Sequence, residues 1–393
     1  MEKVAILRCE DYGDKLQSKV DEMFDCLGGI NSILSKGQKV VLKVNLVCGA
    51  SPDRQCTTNP QLVECVAKRI IEFGCQCVIA DSPGGPFTAS YLKSIYAKTE
   101  MTEVCKNMEK LSLNNDFTDV KVEKESNHLL KEFEILNILN EADVIINMSK
   151  FKTHTYMGFT GAVKNMFGAI PGLLKVEMHS RFVTQDVFSQ MLVDIFETLK
   201  EKIKLNITDA VWGMEGQGPT GGNPINVGYL LASQNAYYLD YVQASMMTKE
   251  INQFPLISTL FERNLIDKDN LVLVGDESQI PELSKYVIPQ CEVYSALKKA
   301  IPPFLQPFFH KLMTRRPVIK RRKCVGCGKC AGHCPVKAIE IEKTKKGRKA
   351  KVCYQKCIRC FCCQELCPFN AVKIKTGILH KLIRLKTKKQ PKD

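Results

Sequence analysis

Residues 142–168 read Ala142-Asp-Val-Ile-Ile-Asn-Met148-Ser-Lys150-Phe-Lys152-Thr-His154-Thr-Tyr-Met-Gly-Phe-Thr160-Gly-Ala-Val-Lys164-Asn165-Met-Phe-Gly168. The run Val144–Met148, apolar except for Asn147, has no alternating polar face, which is the mark of a strand buried on both sides in a parallel sheet. A polar loop carrying Lys150, Lys152, Thr153 and His154 is expected to follow it. After the loop comes a glycine-bounded helix with Lys164 and Asn165 near its start. Strand, loop and helix in this order form the unit of α/β folds, which place ligands at the C-terminal edges of their strands.

The same unit recurs on both sides. Val4–Leu7, Val40–Val47, Cys77–Ala80, Leu205–Val211, Val227–Ala232 and Leu271–Val274 also read as strands. Helical spacing joins Leu16, Val20, Met23, Phe24 and Leu27, then Leu62, Val66, Ile70 and Phe73 after Asn59-Pro60, and then Val187, Met191, Ile195 and Leu199. Residues 1–300 are therefore expected to form an α/β domain, a largely parallel sheet covered by helices.

Polar residues gather at the predicted strand ends. Lys43 and Asn45 close one strand, Thr57-Thr-Asn-Pro60 caps the next helix, and Asp81-Ser-Pro-Gly-Gly85 ends the following strand. Asp209 precedes Trp212-Gly-Met-Glu215-Gly-Gln-Gly218-Pro-Thr-Gly-Gly222, whose five glycines permit close backbone approach. Lys43, Asn45, Lys150, Lys152, His154, Lys164, Asn165, His179, Glu215, Gly216 and Gly218 are the candidate residues for a small anionic ligand, a carboxylate or a phosphate. The competing reading makes the glycine stretch a plain connection and the histidines structural hydrogen-bonders. Neither a dinucleotide fingerprint, a phosphate loop nor a zinc-type histidine spacing is present, and catalytic residues are not identified.

The C-terminal region carries different chemistry. Cys324-Val-Gly-Cys327-Gly-Lys-Cys330-Ala-Gly-His-Cys334-Pro335 and Cys357-Ile-Arg-Cys360-Phe-Cys-Cys363-Gln-Glu-Leu-Cys367-Pro368 share the spacing C-x2-C-x2-C-x3-C-P, 33 residues apart. This is the spacing of bacterial-type [4Fe–4S] ferredoxins; a zinc ribbon also uses C-x2-C pairs but needs no third cysteine followed by Cys-Pro. Cys334-Pro-Val-Lys-Ala-Ile-Glu-Ile also matches Cys367-Pro-Phe-Asn-Ala-Val-Lys-Ile, an internal repeat in which each half ends in a short helix and a strand. Glu342 to Val352, with Gly347 at its tip, reads as a charged hairpin between them.

Residues 318–376 resemble two-cluster ferredoxin domains, a small α+β ferredoxin-like fold, which implies electron transfer through two [4Fe–4S] clusters. In such domains the fourth ligand comes from the other run. The resemblance thus implies Cys324, Cys327, Cys330 and Cys367 around one cluster, and Cys357, Cys360, Cys363 and Cys334 around the other. Cys353 and Cys362 are left as bystander thiols. Lys43-Val-Asn-Leu, Thr57-Thr-Asn-Pro, Lys150-Phe-Lys-Thr-His154, Thr160-Gly-Ala-Val-Lys-Asn-Met-Phe-Gly168 and Met214-Glu-Gly-Gln-Gly-Pro219 are similar to the domain-of-unknown-function 362 family, often fused to a ferredoxin module. That resemblance implies the domain boundary and the fusion, not a reaction.

Charge separates the two parts. Val318 to Asp393 holds 22 Lys/Arg against 4 Asp/Glu, whereas the preceding residues hold 34 against 38. Oxidised clusters with four thiolates offset only about −2 each, so the surplus suits an acidic redox partner protein; nucleic acid is the weaker fit. Residues 301–317 read as a linker, whose Ile301-Pro-Pro-Phe-Leu-Gln-Pro-Phe-Phe309 also permits peripheral membrane contact. Residues 377–393 form a basic tail. No run approaches a membrane span and no signal core opens the chain, so the expected location is cytoplasmic.

The expected function is an iron–sulfur electron-transfer protein, with a ferredoxin-linked oxidoreductase as one form of it. The alternative makes the clusters structural or regulatory and the α/β domain a non-redox enzyme or binding module.

Overall fold

Val144–Met148 does lie at the centre of a sheet. In the computed structural model, which describes residues 1–106, 108–283, 285–289 and 315–375, the chain divides into two units, Met1–Ile288 and Pro289–Asp393. The strands of the first unit are β1 (Glu2–Arg8), β2 (Lys39–Lys43), β3 (Gln76–Ala80), β4 (Leu111–Leu113), a separate hairpin β5 (Asp119–Glu123) and β6 (Glu132–Leu136), β7 (Val144–His154), β8 (Gly158–Thr160), β9 (Ile203–Glu215), β10 (Asn223–Ser233) and β11 (Leu271–Gly275). Nine of them form one sheet of order β11-β1-β10-β9-β7-β2-β3-β4, with β8 folded back on β7. β4, β3, β2, β7 and β9 are mutually parallel; β10 runs against both β9 and β1, and β11 is parallel to β1. The sheet is thus largely parallel with one reversed strand inside it.

Helices cover it because their apolar stripes have nowhere else to go. Leu16–Cys26 buries Leu16, Val20, Met23 and Phe24. Pro60–Phe73 buries Leu62, Val63, Val66, Ala67 and Ile70; it opens on Asn59, whose side chain accepts from the Gln61 amide at 2.8 Å, and stops at Gly74 with φ +110°. Both join Val40, Leu42, Val144, Ile146 and Met148 in one core cluster. Val41 and Ile145, one residue out of phase, are equally buried but point to the opposite face. Among the described residues no helix is long and apolar enough to cross a membrane.

The expected loop after Met148 is not a loop. β7 runs on through Lys150 and Lys152 to His154, buried throughout, because β9 pairs along it and β8 returns on it. β9 likewise continues to Glu215, so the glycine stretch shortens to the turn before β10, while β2 stops at Lys43 rather than Val47. The helix after Gly161 is a single turn, Ala162–Asn165.

In the second unit β12 (Arg316–Ile319) pairs antiparallel with β15 (Val372–Lys375), and β13 (Ile339–Thr344) with β14 (Gly347–Val352). β12 begins inside the stretch read as linker. The charged hairpin turns at Lys345–Lys346 beside Gly347, and the short helices Lys329–Gly332 and Cys362–Glu365 precede each Cys-Pro rather than follow it. Most of the linker and the whole basic tail lie outside the described residues.

Gly161 sets how closely the helix Ala236–Met247 approaches β8. Asp240, buried there, accepts from the Ala162 and Val163 amides, and a Cβ at Gly161 would overlap its carboxyl oxygen. Gly161→Ala is expected to lower stability by about 1–3 kcal/mol, read as a drop in the urea midpoint with an unchanged slope.

Candidate functional site

Register brings the lysines to their partners. Lys150 on β7 pairs with Asp209 on β9, and because side chains alternate along a strand, Lys150 and Lys152 share one face. Lys150 Nζ donates to Asp209 Oδ2 at 2.8 Å, to the Tyr12 hydroxyl at 2.9 Å and to Gln55 Oε1 at 3.1 Å. Tyr12 donates in turn to Asp209 Oδ1 at 2.7 Å, and the Asn59 amide, at the start of its helix, donates to Asp209 Oδ2 at 2.9 Å. Lys43, ending β2, pairs with Asp81 beyond β3 at 2.7 Å. The other Asp81 oxygen accepts from the Leu46 amide.

Lys152 differs from both. Its ammonium donates to Asn45 Oδ1 at 2.6 Å and to the Cys56 carbonyl, with no carboxylate among its partners. Asn45 donates to Asn165 Oδ1 at 2.7 Å, and Asn165 donates to Asn147 Oδ1 at 2.8 Å and to the Lys43 carbonyl at 3.2 Å. Lys43, Asn45, Lys152 and Asn165 are thus one connected, buried polar array, and Lys150 with Asp209 and Tyr12 forms a second buried cluster on β7 and β9.

Burial lowers the Lys152 pKa to about 8, aided by Lys164 and Lys150 nearby. It also lowers that of Lys150, against the pull of Asp209, and raises that of the Tyr12 phenol. Lys175, buried and donating to Ser82 Oγ at 2.7 Å and the Ile170 carbonyl at 2.6 Å, is lowered by burial to about 7.

The remaining candidates make other contacts. His154 is buried, and its Nδ1 accepts from the Tyr156 and Met157 amides at 3.1 and 3.2 Å, which shapes the turn into β8. His179 stacks on Phe188 at 4.5 Å between centroids, with Tyr156 and Phe167 edge-on. Lys164 Nζ lies 5.6 Å from the Phe167 ring centre. Glu215 accepts from the Val287 amide at 2.8 Å, and Gly216 accepts from Thr153 Oγ1 at 3.1 Å. Gly218 accepts from both the Thr155 amide and hydroxyl, and a Cβ on it would overlap the Thr153 carbonyl. Gly218 therefore serves chain-on-chain approach, whereas Gly216, with φ +77°, has open space where a Cβ would stand. Tyr12, Gln55 and Cys56 were not legible as site residues, since none lies in a strand-end cluster; the β1–helix position of Tyr12 is the one available signal.

In the second unit Cys324, Cys327, Cys330 and Cys367 line one pocket, and Cys334, Cys357, Cys360 and Cys363 line another. Cys362 also lines the second; Cys353 lines neither. Among the described residues no three such side chains converge on a single ion position. Four thiols around a volume suit a cubane of several irons better than a lone tetrahedral zinc.

The walls repeat. The Ala338 amide donates to Cys334 Sγ at 3.2 Å and the Ala371 amide to Cys367 Sγ at 3.3 Å. Gly326 and Gly328 have φ of +69° and +83°; their counterparts Arg359 and Phe361 have +60° and +63°, and the pair Lys337 and Asn370 has +49° and +50°. A Cβ at Gly326 would overlap the Arg348 carbonyl.

Comparison with known proteins follows these two units. Residues 40–245 match the model of a family described as Domain of unknown function (DUF362), and residues 316–368 match a 4Fe-4S dicluster domain. A thylakoid-associated protein of Synechocystis sp. is 28% identical over 267 residues, 66% of this chain and 78% of that protein. The lactate racemase apoprotein from Thermoanaerobacterium thermosaccharolyticum superposes with a TM-score of 0.40 at 13% identity, over 61% of this chain and 56% of that one.

Removing one partner of a buried pair strands the other, at a cost of about 3–5 kcal/mol, whereas apolar replacement of both is far milder. Asp209→Ala is expected to destabilise the chain by that amount, and Lys150→Met/Asp209→Leu by markedly less than the sum of its single changes. A double-mutant cycle in denaturant measures the difference.

Proposed function

The chain belongs to the domain-of-unknown-function 362 family and carries a 4Fe-4S dicluster domain, and from that premise we propose that it is an iron–sulfur electron-transfer protein. Two [4Fe–4S] clusters would relay single electrons to or from the α/β domain. The observation that carries this reading is the sorting of eight cysteines from two runs into two four-thiol pockets, each completed by the Cys-Pro cysteine of the other run. Bound there, the clusters supply one-electron redox chemistry. The chain contributes the thiolates, amide donors to Cys324, Cys334 and Cys367, and a basic surround that offsets their negative charge.

For the α/β domain we propose a small anionic ligand at the C-terminal edge, held by Lys152. The support is electrostatic. Lys43 and Lys150 each have a carboxylate, whereas Lys152 is fully buried with neutral acceptors only. A fixed cation without a counter-charge in a low-dielectric interior favours an anion beside it. An acidic partner protein fits the charge of the second unit, and a ferredoxin-linked oxidoreductase is the enzyme class these parts would suit.

Anaerobically purified protein is expected to contain about eight irons and eight sulfides per chain, to be reduced by dithionite and to reoxidise without unfolding. Zinc in place of iron, or unfolding on reduction, would sink the relay. For the ligand, inorganic phosphate is the probe. Its binding stabilises the protonated Lys152, so affinity is expected to hold below pH about 8 and to fall as the pH rises through that value. Calorimetric titration across pH 6.5–9.5 measures this, and an affinity independent of pH, or unchanged in Lys152→Met, would remove Lys152 from the reading.

A further inference from the structure

The two cluster pockets share a backbone, so each position of one serves as a control for the other, and they differ in exposure at several lip positions. Val325, beside Cys324, is 54% exposed, whereas its counterpart Ile358 is half-buried. Phe369, after Cys367-Pro368, is 46% exposed; its counterpart Val336 is half-buried. Where the first pocket has Gly328, the second has Phe361, 2% exposed, with Arg315 set 5.3 Å from its ring centre. Lys329 is exposed where Cys362 is buried, and among the eight cysteines Cys327 alone is exposed. Val325, Cys327, Lys329 and Phe369 all line the first pocket.

We infer that the first pocket is the port through which electrons cross between this protein and an acidic one-electron carrier, which docks on Val325 and Phe369 beside the basic residues Lys323, Lys329 and Arg348. This rests on the electron-transfer reading above and goes further, because it assigns the two pockets different tasks. Electron transfer needs close approach but no covalent contact, so the pocket with the exposed apolar lip exchanges electrons with outside carriers and the other relays within the protein. Two exposed apolar side chains with charge beside them have the composition of a docking patch, an apolar centre with a polar rim. Sign identifies the carrier: Arg315 to Lys375 contains 18 Lys/Arg against 3 Asp/Glu, and two oxidised clusters offset only about 4 of that excess. In the step itself the carrier is oxidised by one electron and the group at the first pocket is reduced by one, with no bond made or broken.

The test uses the full holoprotein under anaerobic conditions, with a reduced, acidic plant-type [2Fe–2S] ferredoxin as donor in stopped flow. Phe369→Glu and Val325→Glu are expected to slow reduction by roughly tenfold or more at low salt, and the wild-type rate to fall as salt screens the attraction. Tyr354→Glu, an equally exposed aromatic that lines neither pocket, is expected to keep the wild-type rate. Iron content and reduction by dithionite, a small donor that needs no docking, are expected to stay unchanged in all three. Wild-type rates in Phe369→Glu and Val325→Glu, or equal slowing in Tyr354→Glu, would overturn the port while leaving the relay intact. Failure of dithionite to reduce the wild type reversibly would overturn the relay and the port with it.

Discussion

An ammonium buried in a sheet must be surrounded by acceptors, and the α/β unit is organised around meeting that demand at Lys150. One carboxylate, Asp209, answers it while also accepting from the Tyr12 hydroxyl and the Asn59 amide. The two residues therefore tie together β7, β9, the segment after β1 and the start of the helix Pro60–Phe73. A comparable pair, Lys43 with Asp81, ties β2 to the segment after β3. Buried pairs add little net stability over apolar contacts, but they are unforgiving of error. Only one strand register and one placement of the loops satisfies all their hydrogen bonds, so the array works chiefly as a device for alignment.

That view changes what the lysines can do. Charges already opposed by carboxylates are poor at attracting an anion, which leaves Lys152 as the position with net charge to offer. Around it the neighbouring groups are amides and carbonyls, Asn45, Asn165 and the backbone of Cys56. These orient the ammonium without neutralising it. Lys175, beside Ser82, also has only neutral hydrogen-bond acceptors, but burial lowers it to about 7, so it keeps less of its charge near neutrality than Lys152, lowered to about 8.

Much of the architecture was readable because its causes are local. Period and composition located β1, β3, the centre of β7 and the helices Leu16–Cys26, Pro60–Phe73 and Gln185–Leu199. The continuation of β7 through Lys150, Lys152 and His154 was hidden for a physical reason. Lysine in a strand reads as a solvent-facing residue, and here it faces inward because Asp209 arrives from a strand almost 60 residues on. Of the glycines at 213–222 that read as space for a ligand, Gly213 and Gly218 stand against Phe151 and Thr153 of the chain itself, while Gly216 faces open space. Sequence identifies a glycine; only the tertiary arrangement identifies what comes close to it.

The matched backbone of the two cysteine halves bears on how such a module can change over generations. Left-handed turns stand at equivalent positions in both, built on Gly326 and Gly328 in one half and on Arg359 and Phe361 in the other. The second half demonstrates that a side chain is compatible with the turn, at an intrinsic conformational cost of about 1–3 kcal/mol per residue. In the first half the Arg348 carbonyl forecloses that option at Gly326. Gly326 is thus closed to a side chain, whereas its counterpart Arg359 already carries one. Room for a different covering of the pocket therefore lies around Arg359 and Phe361 rather than at Gly326.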